Sequence, residues 1–177
     1  KDEYRIKKEE LNDLFLKLFK NDIYMDLAEN FPLYFETQDV TYSSIIDKLN
    51  IVIDRDKQNF KDYQYDEVLE FCNKNNVNLY VSNPTFEFWI MLHFNDVCKE
   101  DKSKMLENKY CGSRRYLEKR LHDICKYKKS NLNFNDFEPY IKDAIKREKL
   151  FEEDLKKLKN NLGSNVGILI NEMINNK

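Results

Sequence analysis

The chain has 177 residues, 41% hydrophobic and 35% charged, which excludes a disordered chain and allows one domain with a real core and an appendage. A formal net charge of -2, from 30 basic and 32 acidic side chains, neither requires nor forbids a nucleic-acid partner, since a local basic patch decides that. No apolar stretch approaches the ~20 residues that span a bilayer, and the charged start at Lys1 to Lys8 is not a signal peptide, so a cytoplasmic protein without a membrane partner is expected.

The four cysteines form no Cys-x-x-Cys pair, so reduced thiols are expected and zinc is not. The three glycines, Gly112, Gly163 and Gly167, are too scattered for a Walker A loop or a dinucleotide fingerprint. Any NTPase acting beside this protein is therefore another chain.

In chain order, Ile6, Leu11, Leu14, Phe15 and Leu18 predict a helix over 1–20. A short helix over 21–30 and a strand over 33–36 follow. Ser43 and Ser44 can cap a helix through Ile45, Ile46 and Leu49. Residues 51–54, Ile-Val-Ile-Asp, are too short and too β-branched for a helix and read as a strand covered on both faces. A polar loop over 57–63 leads to an amphipathic helix over 65–75, with Val68, Leu69 and Cys72 inward, and then to a strand over 79–82. Helices alternating with strands predict an α/β fold with a parallel sheet.

Asn83-Pro84 breaks this alternation, and Pro84 suits the first position of an apolar helix over 85–94. Beyond Asp96 the composition shifts. The pattern gives a charged loop over 99–104, helices over 114–126, 137–158 and 166–174, and a loop over 131–135. No strand is expected there. The division predicted is an α/β core over 1–96 and an all-helical part over 97–177 packed on it.

Two stretches carry chemistry. Asp54 and Asp56 stand at the carboxyl end of a strand, where open α/β sheets place ligand sites. Alternation puts both on one face, about 6–7 Å apart. A divalent cation such as Mg²⁺ would neutralise them; alternatively they end the strand and cap the next segment. In the second stretch, Glu87 sits among Phe86, Phe88, Trp89 and Ile90, where a carboxylate needs a partner or a task. Its first-turn position also suits simple dipole compensation. Asn83 lies one helical turn before Glu87 and can face the same strand end. His93 is a structural histidine or a phosphate contact. Arg114, Arg115 and Lys119, with interleaved tyrosines, could follow a phosphate backbone, although such runs are more often solvated faces. Lys57, just after the acidic pair, is a further candidate for substrate binding.

Residues 51–56, Ile-Val-Ile-Asp-Arg-Asp, and 82–94, Ser-Asn-Pro-Thr-Phe-Glu-Phe-Trp-Ile-Met-Leu-His-Phe, together resemble the RloB-like family, also known as the AbiL second component. The matching positions are Asp54-Arg55-Asp56, Ser82-Asn83-Pro84, Phe86-Glu87, Trp89 and Leu92-His93-Phe94. Residues 161–170, Asn-Leu-Gly-Ser-Asn-Val-Gly-Ile-Leu-Ile, look like a loose form of the family's ending.

That family is similar to Toprim domains. The resemblance implies a Toprim-like parallel sheet and an Mg²⁺-dependent (or Mn²⁺-dependent) nuclease. Its setting would be prokaryotic anti-phage defence by abortive infection. It would act on RNA, tRNA among the candidates, or on DNA, and would work with a separate ABC- or AAA-type ATPase. Asp54 and Asp56 would be metal ligands, with Glu87 and Asn83 completing the catalytic pocket. The family also carries a glutamate at the end of its first strand, in a Glu-Gly-x-Lys-Thr-Glu-like stretch. Lys1-Asp2-Glu3 looks like the tail of that motif, so either the first strand and its glutamate lie before residue 1 or this member lacks that acid. A non-catalytic Toprim-derived module that docks on the ATPase or on nucleic acid is the alternative. A receiver-type phosphoacceptor domain leaves the helical half and the 82–94 stretch without a role.

Overall fold

The computed structural model describes residues 48–130 and 132–175. The elements expected over 1–47 lie outside these residues; Leu49, the end of the helix expected from Ser43, is described and is not helical. The chain divides into two compact units. One comprises 1–51 and 60–79, and the other comprises 52–59 and 80–177. The dividing points at 51/52 and 79/80 fall inside the first two strands.

In the first unit, the described part is built on α1, Asp62–Lys74. Gln64, Tyr65, Val68 and Cys72 are its buried residues, spaced as a one-sided helix requires. The helix starts three residues earlier than its apolar pattern suggests, because the Gln64 side chain accepts the Lys61 N–H at 2.8 Å and extends the first turn. Asn75 and Asn76 end it, with Asn76 in the left-handed region at φ 55°.

The sheet has the order β1 (Asn50–Asp54), β2 (Asn78–Asn83), β5 (Gly163–Ser164). Leu49, Ser82 and Pro84 carbonyls accept from Asn78, Arg55 and Asp56 in turn. These partners advance together along both strands, which is the sense of a parallel pair. β5 pairs with β2 antiparallel, Ser82 opposite Ser164 and Asn83 opposite Gly163. The sheet is therefore mixed rather than parallel. β2 is buried along nearly its whole length, whereas β1 alternates, with Val52 46% exposed. Among the described residues β1 is an edge strand, which explains why its apolar run is not covered on both faces.

The second unit is organised around α2, Phe86–Met91. Phe88, Trp89, Ile90, Met91 and the following Leu92 are all buried, so this short helix is buried on most sides, with Glu87 its one charged residue. Each large side chain buried here stabilises the fold by about 1.5–3 kcal/mol. The N-terminus comes one residue later than expected. Thr85 is the N-cap and Pro84 precedes it, after a cis Asn83–Pro84 bond. α2 packs on β5, on α4 (Tyr116–Cys125) through Leu117 and Leu121, and on α5 (Ile141–Glu148). Arg147 of α5 donates to the Leu92 carbonyl at 2.7 Å, satisfying a carbonyl at the end of the α2 turn.

The second half is not all-helical. Tyr110–Cys111 (β3) and Arg114–Arg115 (β4) form a hairpin across Gly112-Ser113. Gly112 has φ 77°, the conformation that a two-residue turn with Gly first requires. The charged 99–104 stretch also folds, as α3 (Lys102–Glu107), because the Asp101 carboxylate caps the N–H groups of Ser103 and Lys104. The single helix expected over 137–158 is broken into α5 and α6 (Leu155–Leu158). Between them Glu152 accepts the N–H groups of Glu153 and Asp154, and Asp154 caps α6. Such local side-chain bonds compete with helix continuation, and the Glu152 backbone bridges to Gly163 instead. The final helix, α7, is Val166–Asn175.

This ending depends on two close approaches. A Cβ on Gly163 would lie 2.0 Å from the Glu152 carbonyl oxygen. Gly167 N–H donates to the buried Glu148 carboxylate at 3.0 Å, and burial pushes the Glu148 pKa from 4.5 up to about 7.

Gly163→Ala is expected to lower stability by about 3 kcal/mol in urea denaturation. Gly112→Ala, which meets no neighbour but needs positive φ, should cost about 1 kcal/mol. Equal losses would contradict the close contact. Between pH 4.5 and 7 folded Glu148 keeps a proton that the unfolded chain has released, so its contribution to stability falls as pH rises through 7. Glu148→Gln should remove that slope, gaining on the wild type by on the order of 2 kcal/mol from pH 5 to pH 8.

Candidate active site

Asp54, Arg55 and Asp56 leave the end of β1 with alternating directions. Arg55 is fully buried and its Nε donates to the Lys159 carbonyl at 3.0 Å. Asn83, at the end of β2 and 2% exposed, donates to the carbonyls of Leu158 and Asn161 at 2.6 and 2.9 Å. Together they bind three of the carbonyls left unpaired after α6. Lys57 Nζ adds a contact to Asn160 Oδ1 at 2.5 Å. Asn83, expected to complete the catalytic pocket, and Lys57, expected to bind substrate, both direct these groups to the 158–161 loop.

Asp54 turns the other way. Its Oδ1 accepts the Phe86 N–H at 2.7 Å, so a carboxylate from another strand caps the start of α2. The N-cap residue Thr85 makes no cap bond, and its buried Oγ1 has no hydrogen bond of ordinary length. Asp54 keeps an exposed side, but the protein packed behind its carboxylate pushes the pKa from 3.8 up to about 6, and the Glu87 charge adds to this.

Glu87 is 6% exposed and pairs with Lys129 Nζ at 2.7 Å. Burial alone would raise its pKa; hydrogen bonding to Lys129 and the approach of the Thr85 hydroxyl outweigh burial and hold it below the usual glutamate range. Lys129 arrives from the loop after α4, which Lys126 closes at φ 58°. The buried Tyr127 lies between, and burial together with the Glu87 charge pushes its pKa up. The site therefore holds two carboxylates that repel each other, and one exposed lysine that balances them.

The RloB-like family profile, described as RloB-like protein, matches residues 7–173. The chain belongs to the RloB-like family. Comparison with curated proteins and with solved structures gives no match. In this RloB-like chain the Asp-Arg-Asp and Ser-Asn-Pro-Thr-Phe-Glu stretches meet at one place, with Asp54 and Glu87 presented to each other and Arg55 and Asn83 holding the frame.

Asp56 is engaged separately. Its oxygens accept from Gln58 N–H at 3.3 Å and Asn59 Nδ2 at 2.8 Å, and Arg115 stands 3.9 Å away. Arg115 also donates to Gln58 and lies over the Tyr110 ring. Arg114 pairs with Glu118 at 3.6 Å, and Lys119 is exposed on α4. Among the described residues no three His, Cys, Asp or Glu side chains gather into a metal-binding group. His93 is 5% exposed, with Nδ1 3.2 Å from the carbonyls of Trp89 and Ile90; burial lowers its pKa. It does not join the carboxylates. Among the described residues no helix is long and apolar enough to cross a membrane.

Lys129 and Tyr127 were visible in sequence only as part of a Lys-Tyr-Lys-Lys run that resembles any solvated basic face. Nothing local marks the one lysine that reaches Glu87.

Removing the Glu87 charge should relieve Asp54. In Glu87→Gln the Asp54 pKa is expected to fall from about 6 toward 3.8, read by ¹³C-carboxyl NMR titration. An unchanged Asp54 titration would contradict the mutual repulsion.

Proposed function

We propose that this RloB-like protein is a metal-dependent nuclease of the Toprim type. It would be the effector of a prokaryotic anti-phage system, act on RNA (tRNA included) or DNA in the cytoplasm, and work with a separate ATPase. The observation that carries this reading is the placement of Asp54 at the end of β1, where its carboxylate accepts the Phe86 N–H at 2.7 Å beside the buried Glu87; the raised Asp54 pKa, from burial and then the Glu87 charge, is in keeping with it. Two carboxylates that cannot comfortably ionise together fit a divalent cation. Mg²⁺ is commonly bound by one or two carboxylates, with waters and substrate phosphate filling its remaining positions. Asp54 and Glu87 would hold it, with Asp56 beside them in the chain.

When bound, the ion would polarise the phosphodiester and lower the pKa of an attacking water. The chain's own residues do the rest. The Phe86 N–H fixes the orientation of Asp54. Lys129 keeps Glu87 ionised, and its ammonium would be available to a phosphate oxygen with a cation held at Glu87. Arg55 and Asn83 keep the two strand ends in register with the loop after α6. Arg114, Arg115 and Lys119 would extend a cationic surface along nucleic acid.

A second reading has its own observation. Lys129 already neutralises Glu87, and Asp56 already has partners, as in a module that has lost its metal and only binds the ATPase or nucleic acid. Mg²⁺ titration separates the two: saturable binding that Asp54→Ala removes supports the nuclease. Absence of both binding and cleavage, with the ATPase present, supports the module.

Asp54→Ala is expected to abolish toxicity and cleavage, by at least a hundredfold, while circular dichroism shows a folded protein. Full activity of the folded variant would overturn the nuclease reading.

A further inference from the structure

A cavity of about 250 Å³ opens beside α2, and five of its lining side chains are aromatic: Phe86, Trp89, His93, Phe134 and Phe137. This is below the ~300–1,000 Å³ of pockets for drug-sized ligands and suits one flat ring system. Three residues of the wall face solvent, Phe134 at 61% exposed, Leu132 at 49% and Phe86 at 38%. The deeper wall is fixed. The His93 ring stands edge-on to Trp89 at 5.4 Å and to Phe137 at 5.6 Å. Its Nδ1 faces two carbonyls, which can only accept, so Nδ1 carries the proton and Nε2 is left as an acceptor. Among the described residues Nε2 has no hydrogen-bond partner.

The cavity adjoins the carboxylates through one residue. Phe86 gives its ring to the cavity wall and its N–H to Asp54, and Glu87 is the next residue. The cationic Lys128 and Lys129 lie a few residues before Leu132, another lining residue. A phosphate held at the carboxylate site by a cation or by Lys129 therefore has an aromatic slot within reach of the attached base.

We propose that this cavity is a nucleobase subsite, taking one unstacked base of a single-stranded or loop segment of nucleic acid next to the Asp54–Glu87 carboxylates. The proposal deepens the nuclease reading and rests on it for the phosphate's position. Aromatic faces stack on any base, and a neutral histidine acceptor adds one hydrogen bond from a base N–H. A base in a duplex cannot enter unless it is flipped out, so the substrate class is unpaired nucleic acid. The Lys129 ammonium, held at Glu87 next to the lining residue Phe86, favours this occupant over an apolar protein side chain, which has no use for it.

The test uses the full chain in EDTA, so that nothing is cleaved, and a single-stranded oligonucleotide carrying 2-aminopurine. The wild type is expected to quench the probe on binding and to leave a duplex of the same sequence unquenched. Phe134→Ala, at an exposed position, should weaken binding about tenfold, while Phe134→Tyr restores it. Equal binding of single strand and duplex overturns the subsite, and so does a Phe134→Ala protein that binds as tightly as the wild type. A hydrophobic dye that fills the cavity in a Phe134-dependent way, and that bound oligonucleotide does not displace, also overturns it. The two readings fail separately. Cleavage lost in Asp54→Ala with normal binding by Phe134→Ala removes the subsite and leaves the nuclease. Phe134-dependent quenching, without cleavage of any nucleic acid in Mg²⁺ with the ATPase present, removes the nuclease and leaves the subsite.

Discussion

One hydrogen bond, from the Phe86 N–H to the Asp54 carboxylate, joins the end of β1 to the start of α2, and the site depends on it. An acid on a strand end replaces the usual side-chain cap of the helix. The same bond places Glu87, one residue on, where its charge is felt at Asp54. A buried carboxylate beside a second one is a costly arrangement unless a cation is near. In this protein Lys129 is that cation. In the proposed reading, a small divalent ion would take the place of this exposed ammonium.

Around this point the protein uses polar side chains as frame. Arg55 and Asn83 capture the carbonyls that follow α6. Asn165 exchanges hydrogen bonds with Val81 on β2, at 2.6 Å through its side chain and 3.2 Å through its N–H. Glu148 receives the Gly167 N–H at the start of α7. These groups are nearly all buried, where a lost partner leaves an unsatisfied group costing about 1–3 kcal/mol. The 161–170 segment therefore braces the strand whose end leads into α2, which gives its Gly-Ser-Asn-Val-Gly pattern a structural meaning.

Much of this was legible in the sequence where a local signal exists. The strand at Ile51 to Asp54 and the buried strand at Leu79 to Ser82 announce themselves by β-branched and apolar runs. The α2 segment does so by its unbroken apolar content, and Glu87 by standing alone within it. The family and a mixed α/β class were readable from the same stretches, whereas the all-parallel sheet and the all-helical second half expected from them are not what forms. What escaped depends on partners distant in the chain. β5 is two residues long and exists only because β2 offers it an edge. The break between α5 and α6 comes from Glu152 bridging to Gly163, which periodicity cannot reveal. Asn83 has the residue type of an active-site group, yet its amide is used on carbonyls 75 and 78 residues away. The β3–β4 hairpin is the exception: Gly112-Ser113 between short polar strands is a recognised turn signal, passed over because the flanking residues lack apolar alternation.

In the proposed reading Asp54 and Glu87 would form one cation site, with Lys129 paired to Glu87 in its absence. The most direct measurement is anomalous X-ray scattering from crystals of the full chain equilibrated with Mn²⁺. The account predicts a Mn²⁺ peak bound by both Asp54 and Glu87, with the Lys129 ammonium moved off Glu87. A Mn²⁺ ion found elsewhere, or no ion at saturating Mn²⁺ with the Lys129–Glu87 pair intact, would contradict it.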